Sequence, residues 1–280
     1  MAHHAAASPR QMIPQALRWN CAVLLGCLFT PAWGVEIDCL IEPHQITDVR
    51  SPVDGVLESV AVQRGQQVRK GQVLATLQSD AEKAALEVAR TRAEMDGAVK
   101  AAEARLDAAS KKEQRTRELF EKNFVSSGVL EEARTQRSLA EHMLREAREA
   151  KRLAELELRR SAELLRLRTL RAPFDGVVTE RYLDPGGLAT AAAKDPILRI
   201  AQIDPLSVEV ILGAGLYGKV KVGQTADVTP ETSATSFPAR VTAVDRVIDA
   251  ASGTFRVRLE LPNPKQEIPA GAKCKVRLPD

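Results

Sequence analysis

Residues 78–168 read QSDAEKAALEVARTRAEMDGAVKAAEARLDAASKKEQRTRELFEKNFVSSGVLEEARTQRSLAEHMLREAREAKRLAELELRRSAELLRLR. This run of about 90 residues holds no proline, the residue that most reliably interrupts a helix. Its apolar residues recur at heptad spacing. In the first half Val88, Met95, Ala102 and Ala109 fall seven apart. Val99, Leu106 and Phe120 lie on the companion row, with Arg92 and Glu113 as polar interruptions. In the second half Ala133, Ala140, Ala147 and Ala154 form one row. Leu130, Leu144, Leu158 and Leu165 form the other, interrupted by Arg137 and Lys151. Rows of Ala facing rows of Leu allow two helices to approach closely. The 20 basic and 18 acidic residues of 80–168 nearly balance, as solvated helix flanks do. The pattern breaks around Lys122–Gly128. The spacing therefore predicts two antiparallel helices over 80–168, joined by a tip at about 120–128. Each would be about 40 residues and roughly 60 Å long at 1.5 Å per residue.

The flanks of this run resemble each other. Pro52-Val53-Asp54-Gly55-Val56 aligns with Pro173-Phe174-Asp175-Gly176-Val177. Gly65 follows Gly55 at the spacing with which Gly186 follows Gly176. Leu74 and Leu198 follow at similar but unequal distances. The two strings, within 51–79 and 169–204, are halves of an internal repeat, each too small to bury a core alone. Asp54-Gly55 is a hairpin-turn signal, and Gly65 and Lys70-Gly71 mark further turns. The helical run is thus an insertion into one β-module. Val35–Val49 alternates as a strand. Alternation returns at Leu206–Leu212, Thr225–Val228, Ala239–Val244, Thr254–Leu261 and Ala272–Leu278, with a short helix expected at Leu216–Val220. Strands at this spacing predict a small β-barrel over 205–280, which the strand in 35–50 would join by pairing with the last one.

The 280 residues carry 40 Lys+Arg against 37 Asp+Glu, so no charge bias points to nucleic acid. Aromatics are 4% of the chain, too few for a base-stacking surface and consistent with thin layers and narrow seams. Residues 1–34 read as an export signal: Arg10 and Arg18, the apolar run Trp19–Phe29, then Pro31 and the small-x-small site Ala32-Trp33-Gly34, with cleavage after Gly34. A lipid anchor on Cys27, in the loose lipobox Leu24-Leu25-Gly26-Cys27, is the secondary reading. An uncleaved anchor is a third, opposed by a run shorter than the ~20 residues that span a bilayer. Export places the chain where disulfides are permitted. Cys39 and Cys274 lie in strand-like runs near the two ends of the mature chain. They form either a disulfide or two small buried thiols.

No cofactor is expected. His44 and His142 lie far apart, with His142 on a solvated helix flank, and no His/Cys/Asp/Glu group has metal-ligand spacing. No nucleophile elbow, P-loop or dinucleotide fingerprint occurs. The Asp-Gly pairs read as turn formers, so an enzyme is not expected.

Gly65–Leu74 (GQQVRKGQVL) resembles the GxxVxxGQxL string of biotinyl/lipoyl domains, small β-sandwiches of two similar halves. Those domains carry a modified lysine between the halves. Here Gln78-Ser79-Asp80 and the helical insertion occupy that junction, and Lys70 belongs to an earlier turn. A split lipoyl-like β-sandwich with an inserted α-helical coiled-coil hairpin, followed by a β-barrel, is an α+β architecture that resembles the periplasmic adaptor (membrane fusion protein) family. Adaptors of that family that dock on TolC-like channels carry R-x3-L-x6-S at the hairpin tip, and Arg115, Leu119 and Ser126 have that spacing. Read as residue types alone, Arg115 offers a fork of donors, Leu119 an apolar knob, and Ser126 or Ser127 a helix cap. The plain structural alternative is an exposed Arg, a seam Leu and a capping Ser.

The resemblance implies a periplasmic, non-enzymatic subunit linking an inner-membrane transporter to a TolC-like outer-membrane channel, with copies of itself in a ring, by analogy six. The sequence ends at Asp280, straight after the last barrel strand, which leaves little for the fourth β-domain of larger adaptors. Both a resistance-nodulation-division pump and an ABC exporter fit as transporter. A lipoyl- or biotin-type carrier subunit and a structural envelope spacer are the competing readings.

Overall fold

The structure, a computed structural model, describes residues 36–192 and 195–278. The expected export signal and the Cys27 alternative lie outside the described residues. Strands β1 (Glu36–Val49), β2 (Gly55–Val60), β3 (Gln67–Val68) and β4 (Val73–Leu77) lead into the helices α1 (Asp80–Glu94), α2 (Gly97–Glu121) and α3 (Ser127–Arg166). Strands β5 (Thr169–Arg171), β6 (Gly176–Arg181), β7 (Leu188–Ala189) and β8 (Leu198–Gly213) follow, and then β9 (Thr225–Pro230), β10 (Phe237–Val244), β11 (Thr254–Leu261) and β12 (Lys273–Arg277). A 3-10 turn at Ala214–Leu216 stands in place of the helix expected at Leu216–Val220. Among the described residues no helix is long and apolar enough to cross a membrane.

The two repeat halves exchange strands. Gly55 and Val56 of the first half pair with Ala189 and Leu188 of the second. Gly176 and Val177 of the second pair with Val68 and Gln67 of the first. One constant sequence offset relates both sets. The same symmetry governs the hydrogen bonds. Gly65 N–H donates to the Val178 carbonyl and Gly186 N–H to the Leu57 carbonyl, both at 2.8 Å. The carboxylate of Asp54 accepts from Ala191 N–H, and that of Asp175 from Lys70 N–H, both at 2.7 Å. This corrects the turn reading: Gly55 opens β2 rather than closing a hairpin, and each Asp ties down backbone of the opposite half. Leu57, Leu74, Leu77, Val178, Leu198 and Ile200 fill the core between the halves. Neither half could bury these residues alone.

β8 leaves this sandwich at Ala201–Gln202 and runs on into a second module. There β1, β12, β9, β10, β11 and β8 pair in turn, and β1 also pairs with β8, closing a six-stranded antiparallel barrel. Closure removes the free edges that an open sheet would expose. Val208, Val210 and Leu212 of β8, with Val257 and Leu259 of β11, alternate inward as a period of two requires. β1 serves both modules: its first half closes the barrel, and Gln45–Val49 pairs with β8 in the sandwich. Cys39 and Cys274 are register partners on β1 and β12. Their Cα atoms are 4.8 Å apart and a disulfide joins them. That spacing fits a non-hydrogen-bonded antiparallel pair, where side chains approach most closely. Gln67 and Gln266 hydrogen-bond across from sandwich to barrel.

Candidate docking surface at the hairpin tip

α3 is one unbroken helix of 40 residues, and α1 and α2 return along it. Its buried residues Leu130, Ala133, Ala140 and Leu144 lie on the two rows read from sequence, and Ala147, Ala154, Leu158 and Leu165 continue them half-buried. In the ascending arm α2 keeps the expected seam, with Ala102 and Glu113 buried and Val99, Leu106 and Ala109 half-buried, while the stretch before it departs. Val88 and Met95 are exposed, and the buried positions are Ala89, Ala93, Ala102, Glu113 and Thr116. The cause is an interruption that the heptad count passes over: Met95 adopts an extended backbone (ψ 113°), so α1 ends at Glu94 and α2 begins at Gly97. The break re-phases the arm: the buried Ala89 and Ala102 lie 13 residues apart, one short of two heptads. Asp96 holds Lys100 at 2.7 Å across the new start.

Polar contacts set the register of the arms. Arg148 reaches Glu103 at 2.9 Å and Lys112 reaches Gln136 at 2.8 Å. Exposed pairs of this kind contribute little stability but disfavour a slipped register. Glu113 is different, with its side chain only 6% exposed in the seam. It accepts from Arg117 one turn along and from Arg137 of α3 at 3.4 Å. Burial pushes the Glu113 carboxyl upward, but the hydrogen bonds and charges of Arg117 and Arg137 outweigh it and hold it below its ordinary value. Read from sequence as an interruption of the seam, Glu113 is a charged lock just below the tip. At the base, Arg168 bonds Glu82 at 2.5 Å and the Asp54 carbonyl at 2.8 Å, fixing the arms to the sandwich.

The tip itself is shorter than expected, at Lys122–Ser126. Asn123 takes the left-handed conformation (φ 59°) just past α2. Its N–H donates to the Phe120 carbonyl and that of Phe124 to the Leu119 carbonyl, each at 2.9 Å. This is a Schellman stop, with Asn in the place more often held by Gly. Ser126 occupies the N-cap of α3, but its side chain makes no capping hydrogen bond. Its carbonyl receives Val129 N–H at 3.1 Å, and its hydroxyl is exposed. The anticipated side-chain cap by Ser126 or Ser127 is therefore not formed.

Arg115 and Leu119 lie one turn apart on α2, both exposed, and the Schellman bond joins Leu119 to the turn leading to Ser126. Arg115 has no salt bridge among the described residues. Around the three stand Phe120, Val129 and Phe124, the last 74% exposed. The tip thus presents an unpaired cation, a hydroxyl and an apolar collar. Phe124 escaped the sequence reading because an aromatic in a helix break also suits a buried staple. His142 is exposed on α3, and among the described residues no group of three His, Cys, Asp or Glu side chains could hold a metal.

Residues 45–202 match the family described as CzcB-like, barrel-sandwich hybrid domain, and residues 212–280 match CusB-like, beta-barrel domain. The cobalt-zinc-cadmium resistance protein CzcB of Cupriavidus metallidurans is 27% identical over 211 residues, 75% of this chain. The chain spans 38% of the length of that relative. Among solved structures, MacA from Actinobacillus actinomycetemcomitans superposes with a TM-score of 0.72 at 22% identity, over 88% of this chain and 78% of the other. The membrane fusion protein Spr0693 of Streptococcus pneumoniae superposes with a TM-score of 0.61 at 16% identity, over 88% of this chain and 99% of the other. At these identities the likeness is one of fold.

Proposed function

Because the chain belongs to the CzcB-like barrel-sandwich hybrid family of membrane fusion (periplasmic adaptor) proteins of efflux systems, we propose that it links an inner-membrane transporter to a TolC-like outer-membrane channel. The observation that carries this reading is the tip. The two-arm hairpin leaves Arg115, Leu119 and Ser126 exposed at and just below its tip, with the Arg115 guanidinium and the Ser126 hydroxyl unused among the described residues. An Arg fork suits a carboxylate or a pair of carbonyls on the channel, and Leu119 with Phe124 suits an apolar notch. The sandwich and barrel would stack with other copies into a ring, by analogy of six, and shifts in the transporter would be passed along the hairpins. The exported signal-cleaved chain would work in the periplasm, beside a resistance-nodulation-division or an ABC transporter.

A lipoyl- or biotin-type carrier would need an exposed lysine where the halves meet. That junction is Ser79, buried, running straight into α1, which favours the adaptor. The test is Arg115→Asp. Export by the assembled system is expected to fall at least tenfold, with abundance and thermal melting unchanged. Wild-type export at normal abundance would refute docking through this face.

A further inference from the structure

The two ends of the barrel differ. β8 ends at Gly213 opposite Thr254, the start of β11, so the 214–224 and 245–253 loops share the end away from the sandwich. Ala214 N–H donates to the Gly253 carbonyl at 2.9 Å and fastens one loop to the other. Glu36 pairs with Arg277, so β1 starts at this same end. Here Val247 is 79% and Val222 64% exposed, and Ile248 lies beside them. The loops at the opposite end, 231–236 and 262–272, expose no large apolar side chain.

The same end carries Lys219, Lys221 and Arg246, all exposed and without an ion pair among the described residues. Its acids are partly committed: Glu36 holds Arg277 at 2.9 Å and Lys275 at 3.6 Å, and Asp249 accepts Ala251 N–H and Ser252 N–H of its own loop. Asp227 and Asp245 remain as acidic neighbours. Tyr217 packs edge-on against Phe255 at 5.3 Å and stiffens the first loop.

We propose that this end of the barrel seats on an anionic phospholipid surface. Val222, Val247 and Ile248 enter the headgroup layer, and Lys219, Lys221 and Arg246 pair with lipid phosphates. Three aliphatic side chains fall far short of the ~800 Å² per partner of a stable protein interface, yet suffice for shallow insertion aided by charge. The seat does not depend on the hairpin tip, and Arg115→Asp should leave it unchanged.

The test places a thiol-reactive environment-sensitive fluorophore on Val247→Cys, and for comparison on Ala234→Cys at the opposite end, in the full chain purified from the cell envelope. Labelling of the unsubstituted chain supplies the background. Vesicles containing phosphatidylglycerol should blue-shift and at least double emission at position 247 but not at 234. Phosphatidylcholine vesicles should not. Adding K219E, K221E and R246E should weaken vesicle binding at least tenfold with an unchanged circular dichroism spectrum. Equal responses at both positions, or a response that survives charge reversal, would overturn the proposal. So would a response that requires vesicles carrying inner-membrane proteins, which would assign this end to a protein partner.

Discussion

A Cβ added to Gly176 would overlap the carbonyl oxygen of Ala201, which is backbone in the neighbouring strand and cannot swing aside. Gly176→Ala is therefore expected to destabilise the sandwich by about 2 kcal/mol, within the range for overpacked sites. Gly97 is the opposite case, with open space around it and an ordinary φ, so Gly97→Ala should stabilise by about 0.5–1 kcal/mol. Urea denaturation of both variants measures the contrast. Glu113 supplies a pH-dependent term. Its carboxyl is held below the ordinary value of 4.5, so its contribution is complete above that value and is lost as pH falls through the lower folded value. Acid titration of helix content should show wild type losing stability below about pH 4.5 more steeply than Glu113→Gln. Equal slopes would remove Glu113 from the account.

Among the elements, the descending arm and the seam of α2 from Val99 to Glu113 were legible in sequence, and α1 was not. In α3 the Ala and Leu rows run without a change of phase, so counting sevens finds the buried face. In α1 and α2 the extended residue Met95 shifts the phase, and apolar Val88 and Met95 point outward while small Ala89 and Ala93 pack. Apolar character alone cannot tell these apart, because a close two-helix seam prefers Ala to Met. Asp54-Gly55 and Asp175-Gly176 misled for another reason: their partners come from the other half of the repeat, and local turn chemistry contains no such information. The Cys39–Cys274 pair lies at the other extreme, since strands read from alternation place the two residues opposite each other when the barrel closes. Constraining so long a loop is worth up to about 5 kcal/mol in the chain-entropy model. Replacing both cysteines with serine should lower the urea midpoint of the barrel accordingly. Equal thiol counts in denatured protein with and without reductant would contradict the bond.

At the scale of the whole molecule, β1 and β8 each run through both β-modules, so sandwich and barrel share two continuous strands. The hairpin is tied to the sandwich through Arg168, Glu82 and Asp54. Displacement of one module is therefore transmitted through covalent strands and a packed base, which suits a part that relays motion to a distant tip. The repeat and the heptads displayed the split sandwich and its inserted hairpin, but not the sharing of β1 and β8, since alternation alone does not show where a strand passes from one module to the next. The apolar collar at Phe124 and the grouping of exposed Val222, Val247 and Ile248 on the far barrel loops were not legible, since isolated apolar residues in loops look alike until the fold gathers them.

The proposed function stands or falls with contact between the tip and an outer-membrane channel. A photo-crosslinking residue in place of Glu121, the exposed last residue of α2 beside the tip, reports that contact in intact cells. A covalent adduct with an outer-membrane channel protein is expected from position 121, none from a position at the hairpin base such as Glu163, and the adduct should be lost on Arg115→Asp. Adducts confined to other copies of the chain, or an identical channel adduct from Glu163, would contradict it.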